Sequence, residues 1–184
     1  MDAAAGAVLA VLGYRDAGQA SRQMHMIDSA GQTAAHTGEN CVPYCGHLAG
    51  EAVSVAGNML AGAAVIEDTL AAYEAQAALP FAERLMAAME AGAAAGGAKR
   101  GTQSAALVIH RSEDYPWLSL RADDHPDPLA EIRRLYDVAQ ERFLHVAEAM
   151  PTRAKPSGVT DRTGIDAAIE AEEAKRKAEG RVSR

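Results

Sequence analysis

The chain has 184 residues, with 25 acidic against 18 basic side chains and a formal charge of −7, and its isoelectric point lies near 5.3. That balance excludes a generic nucleic-acid binder, which needs a basic face against phosphates. No apolar run approaches the roughly 18 residues of a membrane helix, and 48% hydrophobic content with only 4% aromatics leaves alanine to carry a core built from closely packed helices.

Asp2 to Gly13 combines an early aspartate, helix-forming alanines and a closing glycine, which predicts a helix of about three turns. Apolar residues lie nearly all round it, so the pattern predicts burial, with a covering element expected upstream. Asp2 stands where a secretory signal has a basic region, so no signal peptide is expected and the expected location is cytoplasmic. Gln23–Asp28 and Gln32–His36, joined through Gly31, read as a β-hairpin. Thr37–Glu51 reads as a loop, and Ala52–Ala56 as a strand ended by Gly57-Asn58. From Ala63 the apolar spacing becomes helical. Leu79-Pro80 breaks it, and Pro80 opens a second helix whose face is Phe81, Leu85, Ala88 and Met89.

Gly96 to Ser104 is a glycine-rich turn with two cations, feeding the strand Gln103–His110. Trp117–Arg121 is its expected antiparallel neighbour. Asp123-Asp124-His125-Pro126-Asp127-Pro128 then starts a helix, with aspartate as cap and proline in the first turn. Leu129, Ile132, Leu135 and Tyr136 mark its buried face, and the pattern extends toward Met150. Pro151–Thr163 reads as a linker. Ile165–Glu179 reads as a lone solvated helix or a frayed tail. The expected organisation is one domain over residues 1–150 and a tail over 151–184. Strands in neighbouring pairs with helices in blocks argue an α+β fold with antiparallel sheet.

Three blocks of residues carry a resemblance. The first is Ala34-Ala-His36-Thr-Gly38 with Cys41-Val-Pro43 and Gly46-His47. The second is Val55-Ala-Gly57-Asn58 through Gly62, then Leu79-Pro80 and Arg84-Leu85 to Gly92. The third is Gly96-Gly97, Arg100-Gly101, Gln103-Ser104-Ala-Ala106, Leu120-Arg121 and Asp123 to Pro128 with Glu131. In this order and spacing the chain resembles the bacterial family called domain of unknown function 1028. The resemblance implies a four-layer αββα sandwich of the N-terminal-nucleophile hydrolase kind. It also implies hydrolysis of a C–N bond, other than a peptide bond, in a small metabolite. An N-terminal threonine or serine would attack, with its own α-amine as base. Here Met1 is followed by Asp2, so the resemblance further implies a chain that lacks the family's first strands and is inactive as written. The alternative is a non-catalytic protein of the same fold that binds or assembles as a homo-oligomer, through the open sheet edge that missing strands would leave.

Each candidate site residue has a second reading. Asn58 offers an oxyanion-type amide or holds a substrate carbonyl, or it closes its own turn. His36, at a strand end, is a pocket residue or a satisfied core histidine. Arg100 suits a substrate carboxylate, with Gln103 orienting it and Ser104 beside them; otherwise Arg100 pairs with Asp123 or Asp124. Those two aspartates are an acid–base pair in contact with substrate, or helix caps. The glycine turn lacks the spacing of a phosphate loop. His36, Cys41, Cys45 and His47 do not match a zinc pattern, so no metal and no cofactor is expected. Both cysteines are expected as thiols.

Overall fold

The structure, a computed structural model, describes residues 4–181. Among the described residues six α-helices and six strands fall into two compact units, one ending at Thr102 and the other beginning at Gln103.

In the first unit, α1 (Ala5–Arg15) rests on the hairpin of β1 (Gln23–Ile27) and β2 (Thr33–Thr37). That hairpin packs beside a second one, β3 (Gly46–Gly50) with β4 (Val53–Gly57). Helix α2 (Ala64–Ala75) covers β3 and β4, and α3 (Phe81–Ala94) packs on α2. Both hairpins are antiparallel, with Gln23 opposite Thr37 and Gly46 opposite Gly57 at their shared end. The two helices approach closely because Gly92 has no side chain: a Cβ there would sit 2.2 Å from Thr69 Oγ1. Val65, Ile66, Tyr73, Ala82, Met86 and Ala88 form the core between them and the sheet.

In the second unit, β5 (Ala105–His110) pairs antiparallel with β6 (Pro116–Ala122). Helix α4 (Pro128–Glu141) lies on the face made by Leu107, Ile109, Leu118 and Leu120. Asp127 caps α4, its carboxylate accepting from Ala130 N at 3.0 Å, with Pro128 in the first turn. The short α5 (Phe143–Ala147) and the tail helix α6 (Thr163–Ala178) complete the unit.

Several expectations are corrected. Residues 46–50, read as loop, form β3: Gly-His-Leu-Ala-Gly has weak strand propensity, and its pairing with β4 creates the strand. The expected start of the first helix at Asp2 lies outside the described residues. In its described part only Ala5 is buried, while Val8, Val11, Leu12 and Tyr14 are exposed. A five-residue hairpin beneath it covers only a strip of its surface. The helix expected to extend toward Met150 breaks at Arg142, where the backbone leaves the helical region (φ −140°, ψ −45°). The linker folds back, with Val159 N donating to Ala149 O. The tail is not free either. Arg176 of α6, 1% exposed, reaches Asp137 and Glu141 of α4 at 3.0 and 3.1 Å. The sequence of α6 shows no apolar stripe because a buried arginine, not a hydrophobic face, docks it.

Candidate functional site

The first unit gathers polar side chains where its two hairpins end together. Gln23 starts β1, and its side-chain amide lies 3.0 Å from Thr37 Oγ1, 2.9 Å from Gly46 O and 3.0 Å from Gly57 O. Two amide hydrogens serve three acceptors, so one is shared. The Gln23 carbonyl accepts from Asn58 Nδ2 at 3.3 Å. Thr37 Oγ1 lies 2.9 Å from His47 Nδ1. With Gln23 donating to Thr37, the hydroxyl either gives its own proton to His47 Nδ1 or accepts a second one from it, according to the tautomer of the ring. The result is a continuous run, Asn58–Gln23–Thr37–His47, drawn from all four strand ends.

The loop after Asn58 is held on both sides. Met59 N donates to Val42 O at 2.9 Å, and Lys99 N donates to Met59 O at 2.8 Å. Leu60 bridges Ala98. Met59 takes φ +55°, a left-handed conformation unusual for a side chain with a Cβ. These contacts bring the glycine turn, with Gly96 at φ +114° and Gly97 at +53°, alongside the Asn58 loop. Lys99 Nζ is taken by Pro43 O at 2.9 Å. Arg100 is exposed and has no hydrogen-bond or ion-pair partner among the described residues.

His36 does not join this run. It neighbours Thr37 in β2, and strand alternation turns it to the other side, where Nε2 donates to Gln19 O at 2.9 Å. Gln103, Ser104, Asp123 and Asp124 belong to the second unit. Gln103 Nε2 donates to Asp124 Oδ1 at 2.9 Å, and Gln103 O accepts from His125 N. Arg121 takes Asp123 at 2.6 Å, and the pair raises the pKa of the guanidinium above its ordinary value, first through the hydrogen bond and then through the charge. The capping role considered for Asp123 and Asp124 falls to Asp127 instead, which leaves both carboxylates outside the helix start. Ser104 is exposed at the entry to β5. Cys41 and Cys45 are free thiols, and among the described residues no group of three or more His, Cys, Asp or Glu side chains stands close enough to hold a metal ion.

Gln23, Thr37 and His47 were not singled out as one site in the sequence, where 14 and 10 residues separate them. Thr37 and His47 fall within the blocks that carry the family resemblance and Gln23 does not, but nothing in the sequence joins the three, and β3, which carries His47, does not read as a strand.

The fold and this corner define an α+β protein built on small paired antiparallel hairpins, with amide, hydroxyl and imidazole groups at one end. The model of the Family of unknown function (DUF1028) matches residues 1–132, and the chain belongs to that family. A crystal structure of a Silicibacter pomeroyi protein of the same family is similar at 28% identity and a TM-score of 0.77, over 86% of this chain and 71% of that one. No curated protein matches the chain.

Proposed function

We propose that the hairpin ends of the first unit hold a small amide that also carries a carboxylate, as the substrate-binding corner of an N-terminal-nucleophile-like amidohydrolase of αββα architecture, with none of these residues acting as the nucleophile. The observation that carries this reading is the hydrogen-bonded run Asn58–Gln23–Thr37–His47. Gln23 fixes the Asn58 amide in place, and that amide supplies a donor to a substrate carbonyl, the group on which negative charge develops during C–N cleavage. In the tautomer that carries its proton on Nε2, His47 is a second donor from the same run. Arg100, exposed and without a partner among the described residues, suits the carboxylate by bidentate contact. The contact order helix, hairpin, hairpin, helix supports the architecture.

The test is titration of the chain with N-acetylglycine, the smallest amide of this description, followed by isothermal calorimetry. Asn58→Ala and Arg100→Ala are each expected to weaken binding about tenfold. Binding unchanged by both substitutions, or no binding by any variant or the parent, overturns the reading.

A second reading, a homo-oligomeric binding or assembly protein, is favoured by the apolar residues that α1 exposes: Val11 at 56% and Tyr14 at 93%. Light scattering after size exclusion decides it. A dimer that Val11→Asp converts to monomer supports this reading, and a monomer at every concentration sinks it.

A further inference from the structure

The loop between β2 and β3 borders the hairpin ends and carries both cysteines of the chain, Cys41 and Cys45. The proposed function uses neither. Both are thiols and both are partly exposed. Cys45 Sγ–H donates to Cys41 O at 3.6 Å, so the sulfur of one lies against the main chain of the other.

Three observations set this pair apart from cysteines that only fill space. The first is reach. The chain bends at Cys41 and again at Pro43 and Tyr44, which turns Cys45 back toward Cys41. By covalent geometry the Cys41 Cβ lies about 3 Å from its own carbonyl oxygen, and a sulfur swings by about 3 Å between staggered χ1 wells. Rotation of the two side chains closes a gap of this size, and a disulfide needs no more than adjacent, facing Cβ atoms. The second is that the loop is held from outside. Met59 N donates to Val42 O at 2.9 Å, Tyr44 and Leu60 exchange two backbone bonds at 3.3 and 3.0 Å, and Lys99 Nζ donates to Pro43 O at 2.9 Å. The cysteines therefore stand at the two ends of one clamped turn and do not splay apart. The third is access. Val42 between them is 53% exposed and Tyr44 37%, and neither cysteine lies in the core, where a thiol is an inert small hydrophobe.

We propose that Cys41 and Cys45 are a reversible dithiol–disulfide pair, oxidised by a hydroperoxide, that sets the position of the Asn58 loop. One thiol attacks the terminal peroxide oxygen as its thiolate. An S–O bond forms, the O–O bond breaks, and the alkoxide or hydroxide leaves with the thiol's proton as alcohol or water. The second thiolate attacks the sulfenic sulfur. The S–S bond forms, the S–OH bond breaks, and the hydroxide leaves as water with the second thiol's proton. The two sulfurs together lose two electrons and the peroxide gains them. A disulfide on so exposed a loop is of the labile kind that small thiols reduce again. Its formation draws the ends of the turn together, and Val42 O and Tyr44, which hold Met59 and Leu60, move with them. The pair does not rest on the hydrolase reading: thiols and backbone signals report it, with no substrate involved.

The test is brief treatment of the full, reduced chain with hydrogen peroxide. N-ethylmaleimide should label both cysteines before treatment, neither after it, and both again after dithiothreitol. The oxidised chain should still run as a single chain on denaturing electrophoresis without reductant. In ¹H–¹⁵N correlation spectra the amides of Met59 and Leu60 should shift on oxidation and return with dithiothreitol, which leaves any methionine sulfoxide in place. The amides of β5 and β6 should stay fixed throughout. In Cys41→Ser and in Cys45→Ser the remaining thiol should be trapped by dimedone as a sulfenic acid, without those reversible shifts. Thiols that survive treatment, label loss that dithiothreitol does not restore, or a disulfide between chains overturns the proposal. So do unmoved Met59 and Leu60 amides in the oxidised parent, or the same shifts in either serine variant.

Discussion

The two units solve the same problem, a small antiparallel sheet that needs a cover, in different ways. Along β6 the side chains alternate: Leu118, Leu120 and Ala122 are buried, with Ser119 and Arg121 exposed between them. Its partner β5 buries Leu107 and Ile109 and exposes Ala106, Val108 and His110. One face rests on α4 and the other is open, as a single amphipathic layer should be. None of the twenty residues in β1, β2, β3 and β4 is fully buried. There the layers meet through alanine, glycine and polar side chains, and Gln23, His25 and Thr37 make the contacts. A hydrophobic layer gives stability without chemistry at its surface. A polar layer gives up burial and in exchange sets amides, hydroxyls and imidazoles in fixed positions, which is the arrangement the proposed substrate site uses.

Breaking the second unit's cover should produce the largest effects. Arg176 is buried with Asp137, Glu141 and Glu172 around it. Arg176→Ala removes the cation 3.1 Å from the Glu141 carboxylate, which is itself 4% exposed. The cost expected is about 3–5 kcal/mol, the range for removing one partner of a buried pair. Urea unfolding followed by Trp117, the one tryptophan of the chain and a residue of β6, measures it. Arg176→Met is the sharper variant: a loss below about 1 kcal/mol there shows that packing rather than charge docks α6.

The same deletion made in both sheets tests the contrast directly. Leu118 is 0% exposed and Leu48 38%. Leu118→Ala should cost about 2–5 kcal/mol, through lost transfer energy and the cavity left behind. Leu48→Ala should fall within about 0.5 kcal/mol, as surface changes do. Trp117 fluorescence reads the first and amide exchange across β3 and β4 the second. Equal losses would show that the first unit's sheets are covered more fully than their exposure indicates.

How much of each unit was legible in the sequence follows from the same contrast. The pairing of β5 with β6, the aspartate-proline start of α4 and its buried face of Ile132 and Tyr136 all follow a period of two or of 3.6, and those parts match the reading. The strand β3 did not read as one. Gly-His-Leu-Ala-Gly has no alternation to find, and partner strand β4 supplies its order. The docking of α6 was hidden because periodicity looks for apolar stripes, and a buried arginine is not one. At the candidate site, Asn58 and the glycine turn stood out through turn chemistry and the family resemblance. Thr37 and His47 lie in the resembling blocks too, but their link to Gln23 was not legible, because what joins the three is how two hairpins pack, a relation between distant segments.

A smaller effect sharpens the polar side. Gln23→Ala removes the amide that spans Gly46 O and Gly57 O, and water can replace part of it at this half-buried position. A loss of about 1 kcal/mol is expected. The more telling readout is His47: its ring signals should change with loss of the Gln23–Thr37 bond, while those of His36, bonded to Gln19 O, should stay fixed.

The smallest effect is a pH dependence at the opposite end of the first hairpin. Asp28 sits in the turn between β1 and β2, and α1 has no capping side chain of its own. Asp28 Oδ2 accepts from Ala5 N at 3.1 Å, and Oδ1 accepts from Gln32 N and Ala30 N at 2.9 and 3.0 Å. These backbone donors, Ala5 first, hold its carboxyl below the ordinary aspartate range. A pKa depressed by folding means the charged form is the one the fold favours. The stabilisation is therefore complete above the unfolded value, near 3.9, and is lost as pH falls through the lower folded value. The amide shifts of Ala5, Ala30 and Gln32 should move together between about pH 5 and pH 2, and exchange at Ala5 should quicken over the same range. Asp28→Asn should remove that joint titration while leaving β5 and β6 unaffected. If the three amides titrate separately, Asp28 does not tie the first helix to its hairpin, and α1 is held on that strip of sheet by Ala5 packing alone.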